Sequence, residues 1–235
     1  MADGYILITG ASRGIGAAIA SELAGRGFRV AGLTRSGKSA AGEGFVCDVS
    51  DEASIKAAVA AVAAKGPIAG LVNNAGLYEE ADSATLSAAD FDKLMHNNAT
   101  SAFVAAREVY PQLKRAGGGL IVNIGSFYDR LGVPRSLAYC ASKAAVAAIT
   151  RCLAVEWASD KVRVLNVAPG FIATDLNKEY LKNDGFRRWL EKRVPVGRAG
   201  EPEEVARLVV SLFTTDIGFL TGVTIYADGA QSIVQ

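Results

Sequence analysis

Short apolar runs alternate with longer segments of helical pattern along almost the whole chain, and this alternation restricts the fold more than any other feature. The runs are nearly continuous in apolar residues, which is typical of parallel strands buried on both faces. Strands are predicted, in order, over Tyr5–Ile8, Phe28–Thr34, Gly44–Cys47, Ile68–Val72, Gly119–Gly125, Val162–Ala168 and Val223–Ala227. Right-handed crossovers then give an α/β fold, a Rossmann-type doubly wound parallel sheet of about seven strands with helices on both faces.

The segments between these strands carry helical patterns. Ile15, Ile19 and Leu23 recur at i, i+4 and i+8, which predicts a helix with one apolar stripe. Further helices are predicted from about residue 50, over about 87–115 with a break, over 137–159 and over 201–214. The polar stretch 171–200 interrupts the alternation, and its length suits a lid over a substrate. Because no linker or repeat divides the chain, residues 1–235 are predicted to form a single domain.

Charge and cysteine usage exclude several classes of protein. The net charge of +1 gives no global attraction to nucleic acid or to an anionic membrane. Cys47, Cys140 and Cys152 are odd in number and show no CxxC spacing, so we expect reduced thiols in a cytoplasmic protein without a metal site. We find no signal peptide before the first strand and no apolar run as long as a membrane span, so no membrane partner is expected.

Unusual turns follow the ends of five predicted strands. They are Gly10 to Gly16, Asp48, Asn74-Ala75-Gly76, Ser126 and Pro169-Gly170. Ligands of doubly wound sheets bind beyond the carboxyl ends of the strands, so the five turns together indicate one site. The alternative is that these are ordinary turns, since any turn favours Gly, Asn and Asp.

The first of these turns has the spacing G-x-x-x-G-x-G, with Ser12 and Arg13 before Gly14 and Ile15 before Gly16. Glycines allow the backbone to approach a pyrophosphate, and the following helix N-terminus offers free N–H groups and a positive partial charge. The turn therefore predicts a dinucleotide site.

The end of the second strand bears on the choice of cofactor. NAD-binding proteins usually place an acidic residue about 20 residues past the glycines, where it holds the ribose 2′-hydroxyl. Here the sequence reads Thr34-Arg35-Ser36, with no acid between Glu22 and Glu43. Guanidinium groups bind phosphate in a bidentate way, so Arg35 and Arg13 predict NADP(H) as cofactor. The alternative is that Arg35 is a solvated loop residue.

Tyr139 and Lys143 lie four residues apart in the predicted helix 137–159, on one face and one turn from each other. A cation close to a phenol favours the phenolate, so this pair could supply a proton donor or acceptor near working pH. Such pairs also occur by chance on helix surfaces.

Taken together, four motifs resemble those of the short-chain dehydrogenase/reductase family, and the similarity extends from Tyr5 to Gly229. The motifs are Thr9-Gly10-x-x-x-Gly14-Ile15-Gly16, Asn73-Asn74-Ala75-Gly76, Tyr139-x-x-x-Lys143 and Pro169-Gly170. The most similar subgroup is the 3-oxoacyl-(acyl carrier protein) reductases, which also show patterns like those at 169–175, 194–198 and 221–229.

The resemblance implies roles for particular residues. Tyr139 would be the acid/base, Lys143 would lower its pKa and hold the nicotinamide ribose, Ser126 would bond the substrate oxygen, and Asn98 would anchor a proton-relay water. The implied cofactor contacts are Gly10, Ser12, Arg13, Gly14, Ile15 and Gly16 at the pyrophosphate, Asp48 and Val49 at the adenine, Asn74, Ala75 and Gly76 at the ribose and nicotinamide half, and Ile172 and Thr174 at the carboxamide and nearby phosphate. Pro169 and Gly170 are also implied to contact the cofactor.

The resemblance further implies NADPH-dependent reduction of a carbonyl to a secondary alcohol, and the subgroup favours a 3-oxoacyl thioester presented by acyl carrier protein. It implies a homotetramer formed through the helices near 90–115 and 137–159 and the last strand. The bulky, charged Phe127-Tyr128-Asp129-Arg130 after Ser126 and the short segment 36–43 depart from the subgroup and leave the substrate open. The alternatives are an alcohol or polyol dehydrogenase and a non-catalytic NADP-sensing regulator.

Overall fold

The computed structural model describes residues 4–174 and 182–234, and its centre is one parallel sheet of seven strands. The strand order is β3-β2-β1-β4-β5-β6-β7, so the chain winds outward from β1 in both directions. The strands are β1 Tyr5–Thr9, β2 Arg29–Thr34, β3 Glu43–Val46, β4 Ile68–Asn73, β5 Gly119–Ile124, β6 Val162–Pro169 and β7 Thr224–Ala227. The predicted fold class is confirmed.

Helices cover both faces of this sheet. They are α1 Gly14–Gly25, α2 Glu52–Lys65, α3 Ala88–Met95, α4 Ser101–Arg115, α5 Leu137–Trp157, α6 Asp184–Arg193 and α7 Pro202–Thr214. Successive side chains of a strand point to opposite faces, so each strand serves two apolar layers. Tyr5 and Leu7 of β1 pack in the layer of α2, α4 and α5, whereas Ile6 and Ile8 pack in the layer of α1 and α7.

The predicted break in the helix over 87–115 is a π-helical turn at His96–Thr100 between α3 and α4. A π turn inserts an extra residue into the helical repeat and often marks a functional site. Here the turn includes Asn98, which is buried. His96 lies at its start, where the ring Nε2 is 2.9 Å from the Ser50 carbonyl oxygen.

The connection from β2 to β3 is short, as the sequence indicates, and over the described residues 35–42 it forms no helix. It folds back over the sheet instead, where the Ala40 N–H donates to the Ala11 carbonyl at 3.1 Å. Gly32 of β2 allows this approach, because a Cβ there would lie 2.2 Å from the Ser39 hydroxyl.

The polar segment 171–200 begins and ends at the sheet edge, where Ile172 and Gly200 form a parallel bridge. It contains α6, whose N-cap Asn183 accepts a hydrogen bond from the Phe186 N–H. Residues 175–181 lie outside the described residues, so a lid function for this segment stays a prediction.

Helix α5 and the 3-10 turn after it, Leu137–Asp160, are long and apolar enough to cross a membrane by length and composition. The prediction that no apolar run approaches the length of a membrane span is therefore wrong when it is judged by length and composition alone. In the fold this helix packs against the sheet, and Val146, Leu153 and Trp157 are buried. A core helix buried on one face has the same composition as a weakly apolar span.

Candidate active site

The turns that the sequence singles out come together at the carboxyl edge of the sheet. A cavity of about 570 Å³ lies over the ends of β1, β2 and β3, and one of about 220 Å³ lies over the ends of β4, β5 and β6. The first is lined by Gly10, Ser12, Arg13, Gly14, Ile15, Arg35, Asp48, Val49, Asn74, Ala75, Gly76 and Thr174, among others. The second is lined by Ile15, Asn74, Gly76, Ser126, Tyr139, Lys143, Pro169, Gly170, Ile172 and Thr174, among others. Because they share four of these residues, the two cavities form one elongated site.

The glycine turn brings the N-terminus of α1 against the end of β4. Gly10 and Gly14 have φ angles of 71° and 55°, in the left-handed region that favours glycine. A Cβ on Gly16 would lie 2.4 Å from the Asn74 side-chain amide, so only glycine fits. No side chain caps the helix at Arg13, which leaves first-turn N–H groups for an anion.

Thr9, the last residue of β1, fixes the Asn74-Ala75-Gly76 turn. Its hydroxyl oxygen accepts hydrogen bonds from the N–H groups of Asn74 and Ala75, at 2.9 and 3.0 Å. The Asn74 side-chain amide donates to the Thr9 carbonyl at 3.0 Å. These bonds hold the turn rigidly between the two cavities.

The outer end of the larger cavity is basic. Arg13 and Arg35 are exposed at its rim, and Asp48 is the single carboxylate among the described residues that line it. Hydrogen bonds from the Ser50 hydroxyl and N–H keep the pKa of Asp48 below its usual value, with a smaller contribution from Arg35. A glycine turn at a helix N-terminus, with two arginine side chains at the rim of the same cavity, fits a dinucleotide with its pyrophosphate at the turn.

Ser126 and Tyr139 meet at the end of β5. Ser126 is buried in an extended conformation, and its hydroxyl accepts a hydrogen bond from the Tyr128 N–H at 3.2 Å. Burial raises the pKa of Tyr139 to about 12, and a hydrogen bond with Ser126 partly offsets that rise. The phenol is therefore fully protonated at neutral pH and is placed to donate a proton.

Lys143 lies one turn after Tyr139, but its ammonium is directed at the sheet. The Nζ donates to the Ile124 carbonyl at 2.9 Å and lies 5.6 Å from the centre of the Tyr139 ring. Burial lowers the pKa of Lys143 to about 8, because the charged form loses its hydration. Burial raises the pKa of Tyr139 most, Ser126 lowers it, and Tyr128 and Cys140 raise it slightly. The expectation that Lys143 lowers the pKa of Tyr139 therefore stays a prediction.

Asn98 joins three parts of the site. Its side chain accepts from the Leu77 N–H at 2.7 Å and donates to the Leu77 carbonyl at 2.9 Å. It also donates to the Ser142 hydroxyl at 3.0 Å, and that hydroxyl donates to the Tyr139 carbonyl at 2.8 Å. Ser142 thus links the π turn to the first turn of α5, whereas sequence reasoning predicted only packing or local bonding for it.

Sequence reasoning missed Tyr78 and Ser136 as neighbours of Tyr139. The Tyr78 ring packs edge-on against the Tyr139 ring with centres 4.9 Å apart, and its hydroxyl lies 3.2 Å from that of Ser136. Tyr128, singled out for its bulk, packs on the same ring at 5.8 Å. The sequence signal that could have identified Tyr78 is its position two residues after Gly76, in a turn that was already assigned to the site.

Known proteins show the same organisation. A family model described as enoyl-(acyl carrier protein) reductase matches residues 10–230. The chain is 36% identical to D-threitol dehydrogenase of Mycolicibacterium smegmatis, covering 98% of the chain and 94% of that protein. It is 35% identical to the 3-oxoacyl-[acyl-carrier-protein] reductase FabG of Haemophilus influenzae, covering 95% and 96%. A gluconate 5-dehydrogenase of Burkholderia cenocepacia, solved with NADP and tartrate, superposes with a TM-score of 0.92 at 30% identity, covering 100% and 97%.

Proposed function

The chain belongs to the short-chain dehydrogenase/reductase family of oxidoreductases, and we propose that it reduces a carbonyl compound to a secondary alcohol with NADPH. The observation that carries the proposal is the meeting of Tyr139 with the buried Ser126 and Lys143 at one end of the glycine-lined cavity. Two hydroxyl donors and a buried cation at this place suit the protonation of an alkoxide.

The cofactor, when bound, supplies a hydride to the carbonyl carbon. The chain's own residues then act on the oxygen. Ser126 and Tyr139 donate hydrogen bonds to the developing negative charge, and one such donor stabilises a transition state by about 3–4 kcal/mol. Tyr139 carries its proton at neutral pH, and burial raises its pKa further. It transfers this proton to the oxygen, and Lys143 stabilises the phenolate that remains.

Asn98 holds this arrangement in place through its hydrogen bonds. Its side chain holds the Leu77 backbone and, through Ser142, the carbonyl of Tyr139. The candidate tyrosine therefore keeps its place relative to the Asn74-Ala75-Gly76 turn.

Three features support NADP(H) over NAD(H). Arg13 and Arg35 lie at the rim of the larger cavity, an acid is missing at the end of β2, and the gluconate 5-dehydrogenase relative was solved with NADP. An acidic residue there would repel a 2′-phosphate, whereas a guanidinium binds it.

Similarity alone does not select the substrate. FabG relatives favour a 3-oxoacyl thioester with acyl carrier protein as partner, whereas the threitol and gluconate dehydrogenases favour a polyol or sugar acid. We propose in addition a cytoplasmic homotetramer. A regulator that binds NADP without turnover is the competing function.

The test of the reaction is the variant Tyr139→Phe, which removes the proton and one donor while keeping the ring. We expect kcat for NADPH-dependent ketone reduction to fall at least about a hundredfold, because a positioned general acid contributes about 10²–10⁴. The matched control is Tyr110→Phe, which removes a hydroxyl bonded to Asp160 near the far end of α4.

Turnover and NADPH binding are measured together over a panel of ketones and 3-oxoacyl thioesters. Near-normal turnover of Tyr139→Phe rules out the proposed mechanism. Tight binding of NADPH by the native protein without turnover on any panel member favours the regulator instead.

A further inference from the structure

Three tyrosine rings meet at the candidate site, and from there aromatic side chains continue to the helix α6. Tyr78 and Tyr128 both pack edge-on against Tyr139, at 88° and 81° to its plane. The rings next to Tyr139 and those beyond it form an aromatic wall, which consists of Tyr78, Phe127, Tyr128, Phe171, Phe186 and Trp189. Neighbouring rings of the wall beyond Tyr139 have centres 4.6–6.1 Å apart.

The wall is attached directly to the reacting groups. Phe127 and Tyr128 follow Ser126 in a 3-10 turn that Ser126 itself caps. Phe171 follows Pro169-Gly170, and Ile172 beyond it lines the same cavity as Tyr139. Of the wall residues, Tyr78 lines this cavity itself, and Tyr128 adjoins it through its contact with the Tyr139 ring.

The polar groups of this region bond mainly to one another. The Tyr78 hydroxyl donates to Glu80 at 2.7 Å and lies within hydrogen-bond distance of Ser136. The Tyr226 hydroxyl donates to both carboxylate oxygens of Asp129, at 2.9 and 3.0 Å, and the Arg130 guanidinium lies 3.6 Å from the centre of the Tyr226 ring.

These internal hydrogen bonds make the region less suited to a substrate with many hydroxyl groups. A polyol or a sugar acid needs several donors and acceptors that are free to exchange with its hydroxyl groups, because unpaired buried polar groups cost free energy. Here three of the groups that could serve this purpose, Glu80, Ser136 and Asp129, are engaged within the protein. What the wall offers is ring edges and ring faces, of which Phe127 is buried and those of Tyr78 and Tyr128 are half-buried. Burial raises the pKa of both Tyr78 and Tyr128.

We propose that the substrate is a ketone with an aromatic or conjugated ring attached to the carbonyl carbon, and that Tyr128 is the residue that selects it. The inference rests on the reductase function proposed above. Aromatic rings prefer edge-to-face and offset contacts with other rings, and a substrate ring seated against Tyr128 extends the packing already present around Tyr139.

The probes are acetophenone and its saturated counterpart, cyclohexyl methyl ketone. Both have eight carbons and one carbonyl, and only the first has a flat ring. Conjugation makes the aryl ketone intrinsically less reactive, so the informative quantity is the change between variants in the ratio of the two kcat/KM values. An edge-to-face ring contact corresponds to about a twofold to tenfold change in such a ratio.

We expect Tyr128→Leu, which keeps apolar volume but removes the ring, to lower the aryl-to-cyclohexyl ratio about twofold to tenfold. Tyr128→Phe keeps the ring and is expected to keep the ratio. Tyr110→Leu removes a ring that stacks on Trp157 instead, and it is expected to leave the ratio unchanged.

A second measurement uses only the native protein, so it does not depend on whether a variant folds. Calorimetry on the native protein with bound NADPH, which cannot take a hydride from an alcohol, compares the two product alcohols, 1-phenylethanol and 1-cyclohexylethanol. We expect tighter binding of the phenyl compound. Equal or weaker binding, or an unchanged kinetic ratio in Tyr128→Leu, overturns the substrate class while leaving the reductase function intact. Absence of NADPH turnover with every ketone overturns both.

Discussion

Lys143 illustrates, at the scale of one residue, how a functional site can lower the stability of the fold. Its side chain is 6% exposed and its ammonium donates to the Ile124 carbonyl. Burial lowers its pKa to about 8, which means that the folded protein holds this proton less tightly than the unfolded chain does. Sites that hold desolvated charges for chemistry commonly do so at the expense of folding stability.

The expected consequence is that Lys143→Met stabilises the protein without cofactor at pH 7. A difference of about 2.5 pKa units corresponds to about 3 kcal/mol, so we expect a gain of about 1–3 kcal/mol in the free energy of unfolding. Because a lysine with a lowered pKa destabilises the fold while the pH is below its folded pKa, the penalty fades as the pH rises from about 8 to 10.5. The gain should therefore shrink toward pH 10.

Urea unfolding of both proteins at pH 7 and pH 10 measures the two differences. Other titrating groups are common to both proteins and cancel. A variant that is less stable than the native protein at pH 7, or a gain that is the same at both pH values, contradicts the argument.

At the scale of elements, the short β2–β3 connection decides what surrounds the outer end of the larger cavity. The loop returns over the sheet without a helix, with Arg35 exposed at its start. The pair Arg35 and Arg13 thus comes from two loops, one after β2 and one before α1. The β2–β3 and β1–α1 turns set the charge of this end, whereas the strands set its position.

Reversing that charge should reverse the cofactor preference. We expect Arg35→Asp to raise the KM for NADPH about tenfold to a hundredfold, because hydrogen bonds to charged groups contribute about 1.5–3 kcal/mol. The KM for NADH should change far less. The same change at Arg26, which pairs with Glu22 at the end of α1, serves as control because that helix end lies at the opposite edge of the sheet. Equal changes for the two cofactors in Arg35→Asp would show that Arg35 is a solvated loop residue.

At the scale of the whole molecule, exposed apolar side chains mark two surfaces. Phe103 and Val155 lie exposed on α4 and α5, and Phe219 and Val223 lie exposed next to β7. Contiguous apolar patches often mark interaction sites, so these side chains are candidates for interface contacts. They coincide with the surfaces expected for the proposed homotetramer.

Light scattering after gel filtration should give about 98 kDa, four chains of 24.5 kDa each. Val155 is 80% exposed, so Val155→Arg should leave the fold intact and break the α4–α5 contact, giving dimers. Val46→Arg, at the exposed edge strand β3, is the control and should remain a tetramer. A native mass of one chain would contradict the proposed assembly.

The sequence by itself determined the class of fold and the place of the site. Apolar runs alternating with amphipathic segments can bury their surfaces only as a covered parallel sheet, and the turns after such strands must then share one edge. Local pattern therefore predicted that the glycine turn from Gly10 to Gly16, Asn74-Ala75-Gly76 and Ser126 lie at one edge, whereas the roles of Tyr139 and Lys143 there followed from the family resemblance.

Only the tertiary structure decided the contacts between distant segments. Tyr78 packs on Tyr139 across 61 positions, and the Tyr226–Asp129 hydrogen bond joins residues 97 positions apart. The direction of the Lys143 ammonium, toward the Ile124 carbonyl, also depends on how α5 sits on β5. Helical spacing fixes which side chains share a face, but the partners across that face, and hence burial, pKa and the walls around the substrate, follow from packing.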